Sequence, residues 1–305
     1  MSDLIRLIGA GDWTTEVRPA LGGAQTMLTW RGIDILRPTP PDASDILQTA
    51  NFVLVAQANR IDQGRFTFDG RTVQLPLNFR DHPHRLHGEG WQAPWGVETA
   101  DAASVTMSYA HDGAGWPWPY LSRQTLRLDA EGFSHSLSLT NTGHQVMPAG
   151  LGFHPCFPNQ GSAQLRAQVD GVWLADALSL ATHHVGDLPF GDWPAGAPVA
   201  SDVLIDHCHT GWNGVAYLRQ SGADFTVKMT ASANLGFLHI YSPPGAGVFC
   251  LEPVSHRPDA VNAADPVKDG VRFLAPGETL TAEMRIGLAN ERGSVFKSPK
   301  AGIAA

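Results

Sequence analysis

Phe133-Ser134-His135-Ser136-Leu137-Ser138-Leu139-Thr140 alternates without a break: the odd positions are mainly apolar, and every even one is Ser or Thr. A period of two puts successive side chains on opposite faces of a strand, so this stretch predicts a β-strand with one face buried. Working outward, Val105–Tyr109 and Leu121–Leu128 show similar strand texture. Toward the N-terminus, Leu4–Ile8, Met27–Trp30 and Ile33–Leu36 are short apolar runs separated by turn residues, as in a meander. Arg37-Pro38-Thr39-Pro40-Pro41 then stops any regular element. Arg65–Phe68 and Arg71–Leu75 flank Asp69-Gly70, a pair suited to the positive φ that a two-residue hairpin turn requires. Toward the C-terminus, Phe237–Ser242 and Val248–Leu251 are almost continuously apolar, the pattern of strands buried on both faces. The 32 Gly and 22 Pro are spread along the chain, which suits many short strands and disfavours long helices. The fold class expected is all-β with few short helices.

Composition narrows the function classes. Of the 305 residues, 43% are hydrophobic and 16% charged, enough to bury a large core and too little charge for a disordered chain. The formal charge is −8 and no basic run occurs, which excludes tracking of a phosphate backbone; no nucleic-acid partner is expected. No stretch approaches the roughly 18 apolar residues of a membrane span, and the start lacks a basic segment followed by an apolar run. The three cysteines, Cys156, Cys208 and Cys250, are odd in number and widely spaced, suggesting neither a disulfide framework nor a thiolate metal site and favouring a reducing compartment. A cytoplasmic protein, monomeric or homodimeric, is expected. No composition break divides residues 1–292, read as one domain, and residues 293–305 are read as a flexible tail.

Two ionisable residues stand at backbone positions stiffened by a following proline. His154 precedes Pro155 and Glu252 precedes Pro253, and proline holds the residue before it in extended backbone. An acid and a base need such fixed positions, although a turn-capping histidine and a surface glutamate would read the same way in isolation. As a catalytic pair they would be held apart by about the width of a sugar ring. The loop Asn78–Trp91 is long, polar and rich in histidine, which makes it a candidate binding loop. His82, His84 and His87, with His207 and His209, also read as metal ligands; Pro83 disturbs the strand and no Cys lies near, so hydrogen bonding to a polar ligand explains them without a metal. Trp91, Trp116 and Trp118 lie in loop-like stretches where an indole stacks on a sugar face or packs in the core, and packing is the favoured reading.

In order along the chain stand Asn59-Arg60-Ile61; Leu86-His87-Gly88 before Gly90-Trp91 and Trp95; Gly152-Phe153-His154-Pro155-Cys156-Phe157; Ile205-Asp206 before Gly211-Trp212; and Leu251-Glu252-Pro253 with Pro258-Asp259-Ala260-Val261-Asn262. Together these blocks resemble the aldose 1-epimerase (galactose mutarotase) family over about residues 20 to 290. The resemblance implies a β-supersandwich and the interconversion of α and β anomers of a free aldose or modified hexose, with a small sugar as partner and no cofactor. It implies His154 as general acid, Glu252 as general base, and Arg60, His87 and Asp206 as substrate-binding residues, with Gln57 and Trp91 added as candidates beside them. Three positions depart from the family pattern: Ala56-Gln57-Ala58 before Asn59, Cys156 where Tyr is common, and His209 where Phe is common. Gln57 and His209 would shift the choice of sugar toward one with an extra polar or anionic substituent. Two rival readings remain: a sugar-binding or regulatory protein without catalysis, and a hexose-6-phosphate 1-epimerase, which the H-P-x-F block and the lack of a dense arginine cluster disfavour.

Overall fold

A computed structural model of the chain describes residues 4–289 except 160, 162, 201, 221 and 222. The expected C-terminal tail, 293–305, lies outside the described residues. Strands dominate, and helical structure among these residues is confined to three short 3-10 turns, at Ile46–Gln48, Asp62–Gly64 and Ala260–Asn262. No helix of the described residues is long and apolar enough to cross a membrane.

The alternating stretch lies in strand Gly132–Asn141, where Phe133, His135, Leu137 and Leu139 are buried and the intervening Ser and Thr side chains half-buried. It occupies the middle of a nine-stranded sheet, between Tyr120–Asp129 and Thr279–Leu288, and is antiparallel to both. A second nine-stranded sheet has at its centre Ile205–Thr210, Phe237–Ser242, Val248–Val254 and Met147–Phe153, in that order. Val53–Ala56 pairs with the last of these, and Cys156–Pro158 with Val248–Val254. Met147–Phe153 is buried along its whole length, as expected for a strand covered on both faces.

The two large sheets meet across one apolar core, which takes Leu126, Leu137 and Ile286 from the first and Leu151, Leu238 and Leu251 from the second. His135 belongs to this core. Its ring lies 4.8 Å from that of Phe153, Nδ1 is 3.1 Å from the Asn51 amide and Nε2 2.9 Å from Gln124 Oε1. Burial pushes its pKa down to about 3, so the ring is a neutral, hydrogen-bonded core histidine.

The Asp69-Gly70 hairpin forms as expected, with φ of 50° and 71° at the two turn residues. Arg31-Gly32 turns the same way, at 51° and 75°. Trp116 and Trp118 are buried against Phe66, so their loops return into the core instead of presenting rings to solvent. The period of two has a direct test within one strand. Leu137→Ala should lower unfolding stability by about 2–5 kcal/mol, while Ser136→Ala stays within about 0.5 kcal/mol, measured by urea denaturation.

Candidate active site

The site is built by strand register. Across the second sheet Asp206 stands opposite Tyr241, Tyr241 opposite Cys250, and Cys250 opposite Cys156. Two residues along, Cys208 stands opposite His239 and His239 opposite Glu252. Opposed residues, and residues two apart on one strand, share a face. One face of the sheet therefore carries Asp206, His239, Tyr241, Cys250, Glu252 and Cys156, and all six line a cavity of about 520 Å³. That volume lies in the range of small-molecule sites.

His154 enters just beyond the end of Met147–Phe153. Its N–H donates to Phe52 O at 2.9 Å and its ring stacks on Phe52 at 4.4 Å, while Leu251 N donates to Pro155 O at 3.2 Å, tying the histidine's turn to the strand of Glu252. His154 Nε2 and Glu252 Oε1 are 3.3 Å apart. This separation corrects the expectation of a ring's width between them: both segments hang on one strand, whose hydrogen bonds draw the groups together. Glu252 is 2% exposed, and its Oε2 is buried with no hydrogen-bond partner among the described residues.

Arg60 and His87 come from the opposite wall, where Arg60–Ile61 pairs with Arg85–Leu86. Asn59 and His87 both have left-handed backbone, φ 55° and 58°, and close on each other: His87 N donates to Asn59 O at 2.9 Å, and Asn59 N to His87 Nδ1 at 3.0 Å. With Nδ1 accepting, the neutral ring carries its proton on Nε2, and burial holds the pKa well below the ordinary value. His87 is thus a neutral donor. Gly88 has φ 69°, and a Cβ there would run into the Val55 carbonyl, so only glycine admits this close approach.

Asp206 is held on both oxygens, by His239 Nε2 at 2.7 Å and Arg60 Nη1 at 3.4 Å. Burial opposes its ionisation, yet the His239 hydrogen bond and the charges of His239 and Arg60 win and keep the carboxyl ionised. His239 shows the converse balance: burial opposes its charge, but Glu252 and Asp206 raise its pKa to about 10. For His154 burial prevails over the pull of Glu252, and the pKa falls below the ordinary value.

The cavity gathers five of the residues expected from the sequence, Arg60, His87, His154, Asp206 and Glu252, and leaves two outside. Gln57 is buried behind the wall, its amide donating to Ala58 O at 2.5 Å and to Asn59 O, its carbonyl accepting from Gly88 N. Trp91, 2% exposed, packs on Phe52 and donates to Gly88 O. Both brace the Asn59–Gly88 wall without lining the cavity. His209 is also outside, buried between Trp193 and Leu238 O. Sequence reasoning missed His239, Tyr241 and Arg37. The first two sit two apart in a strand read only as apolar, and that alternation was the available signal.

The expectation of unpaired cysteines is overturned. Cys156 and Cys250 form a disulfide, with Cα atoms 4.1 Å apart, and only Cys208 is free. Ninety-four residues separate them in sequence, but the register sets them face to face, and with this pair bonded the cysteines no longer argue for a reducing compartment. Two groups of potential metal ligands occur among the described residues, His87–His154–Glu252 and His154–Cys156–Cys250. The disulfide occupies both sulfurs of the second, and the first includes the protonated Nε2 face of His87. His82, His84, His207 and His209 belong to neither.

The model of the aldose 1-epimerase family matches residues 12–287. The chain belongs to that family. YphB of Escherichia coli K12, an uncharacterised protein, is 33% identical to this aldose 1-epimerase family member over 77% of this chain and 82% of its own. A structure from the same organism, provisionally named an aldose 1-epimerase, superposes with a TM-score of 0.87 at 29% identity, covering 94% of this chain and 99% of that one. A galactose mutarotase-like protein from Clostridium acetobutylicum shares the fold, with a TM-score of 0.81 at 22% identity and coverage of 94% and 95%. The expected all-β, galactose mutarotase-like fold is therefore the observed one.

Two measurements check this site. Thiol titration of the denatured protein should find one reactive cysteine before reduction and three after. Thermal stability should peak near neutral pH. His135, His209 and His256, depressed to about 3, 3 and 4, refuse protons that the unfolded chain accepts below about 6.5, so stability falls toward acid. His239, raised to about 10, keeps a proton that the unfolded chain releases, so its contribution is lost as pH rises from about 6.5 through 10.

Proposed function

We propose that this family member is a mutarotase, interconverting the anomers of an aldose by opening and reclosing its ring. The observation that carries this reading is the contact of His154 Nε2 with Glu252 Oε1, 3.3 Å apart on the floor of the cavity. Ring opening requires a proton to leave the C1 hydroxyl while another reaches the ring oxygen. Those two oxygens share one carbon, so an acid and a base acting on them have to be neighbours. The Glu252 carboxylate takes the hydroxyl proton, and His154 delivers a proton to the ring oxygen. The open-chain aldehyde then rotates about the C1–C2 bond and recloses on its other face, with Glu252 and His154 in reversed roles. No net proton is exchanged and no cofactor is required. Each group of this kind contributes about 10² to 10⁴ in rate.

The remaining residues orient the sugar. Neutral His87 and the Arg60 guanidinium donate to its oxygens, while the Asp206 carboxylate, already fixed by Arg60 and His239, accepts from its hydroxyls. A carboxylate locked from two sides discriminates hydroxyl stereochemistry because a wrongly placed hydroxyl leaves a buried acceptor unpaired.

Polarimetry of freshly dissolved α-sugars tests the assignment. His154→Ala and Glu252→Gln should each lower kcat by at least about 10², with folding verified by circular dichroism; full activity in both would refute it. As the imidazolium is the donor and burial lowers its pKa, kcat/KM should decline as pH rises through a value below about 6.5. His154→Gln should remove that alkaline limb.

A further inference from the structure

Arg37 lines the cavity and has no carboxylate to balance it. Its backbone N–H donates to Cys156 O at 2.8 Å, which anchors it beside the His154–Cys156 turn. Its Nη2 donates to two backbone carbonyls, Leu47 O at 2.7 Å and Thr49 O. Nε is buried without any partner, and Nη1 makes no hydrogen bond among the described residues. No Asp or Glu of the described residues reaches ion-pair distance of the guanidinium, whereas Arg60 faces Asp206 at 3.4 Å and His239 faces the same carboxylate at 2.7 Å.

The two cavity carboxylates are already engaged. Asp206 is held by Arg60 and His239, and Glu252 lies against His154. A half-buried guanidinium left with carbonyl dipoles alone is an unusual arrangement, because desolvation of a cation is ordinarily offset by an anion. The charge of Arg37 also reaches His154, where it disfavours the imidazolium. An anion bound at Arg37 would relieve that repulsion and accept from Nη1, the guanidinium nitrogen that neither the carbonyls nor burial takes up.

We propose that Arg37 is an anion-recognition residue and that the aldose taken by this cavity carries an exocyclic anionic substituent: a carboxylate, sulfonate or phosphate. This rests on the mutarotase reading for the position of the sugar, and it assigns the selection of an acidic sugar to Arg37 in place of Gln57 and His209. Glu252 and His154 take the anomeric and ring oxygens, and Arg37 takes the charged group.

The experiment measures anomer exchange by NMR for glucose, glucuronate, galactose, galacturonate and glucose 6-phosphate, with wild type, Arg37→Gln and Arg37→Lys. Gln keeps a donor for the Leu47 and Thr49 carbonyls while removing the charge; Lys keeps the charge and loses the fork. The wild type should favour an acidic sugar over its neutral counterpart by about tenfold or more in kcat/KM, and the ratio should shrink with added salt. Arg37→Gln should lower the ratio of acidic- to neutral-sugar kcat/KM by about 10- to 100-fold, and Arg37→Lys should recover part of the loss. The uronates against glucose 6-phosphate distinguish a carboxylate from a phosphate. Equal or better turnover of neutral sugars by the wild type overturns the inference while leaving mutarotation standing, and so does an unchanged ratio in Arg37→Gln. Should no sugar be anomerised, calorimetric titration of the same sugars decides: acidic sugars bound in preference and lost in Arg37→Gln uphold the anion site and refute mutarotation, and their failure to bind overturns both.

Discussion

Everything at the site depends on the register of four neighbouring strands of the second sheet. Asp206, Tyr241, Cys250 and Cys156 form one row of opposed residues, and Cys208, His239 and Glu252 form the next. A slip of one residue in Val248–Val254 would send Glu252 to the other face and take Cys250 from its partner. The disulfide opposes such a slip covalently. Closing a loop of about that length corresponds to roughly 4–5 kcal/mol in the chain-entropy picture, and the link lies two residues from Glu252 on one strand and two from His154 on the other. The cross-link thereby constrains the positions of both groups at once.

Electrostatics divides the cavity into two kinds of group. His87 and His154 are buried rings whose environment favours the neutral form, while Asp206 and His239 form an ion pair in which each member's charge supports the other's, with Arg60 adding to the hold on the carboxylate. The contrast follows from neighbours, since burial disfavours charge on His87, His154 and His239 alike. His239 has Asp206 in hydrogen-bonding contact and Glu252 directly opposite; His87 packs against Phe52, Trp91 and His154, and burial with the like charges of His154, Arg60 and His239 outweighs the pull of Asp206. On the imidazole assigned to proton transfer, burial and the charge of Glu252 act in opposite senses, and burial prevails.

The period of two in Phe133–Thr140 was legible because a strand's burial is written residue by residue. The hairpin at Asp69-Gly70 was legible because its turn demands positive φ. Five site residues could be named since each sits in a block of distinctive neighbours. Relations set by register could not be read that way. Nothing in the spacing of Cys156 and Cys250 places them opposite each other, and His239 is hidden in an apolar run whose partner strand is not known in advance. Gln57 and Trp91 erred for a related reason: both adjoin true cavity residues in sequence, yet a wall has a back as well as a front, and their hydrogen bonds to Ala58, Asn59 and Gly88 lie on the back.

The two tasks of the cavity have separate structural origins. Glu252, Asp206 and His239 are carried by paired strands, with His154 bound to their edge, and a strand in mid-sheet cannot shift without breaking its ladder. Arg37 comes from the proline-rich segment after Leu36, held by carbonyls of the Ile46–Gln48 turn and its flank. Such a segment can change sequence and path at little cost to the sheet. On the proposed reading, a scaffold organised this way keeps its proton-transfer geometry while the rim is free to vary. On that reading, the loops around Arg37 select the charged substituent, while Asp206 on the sheet face discriminates among the hydroxyls.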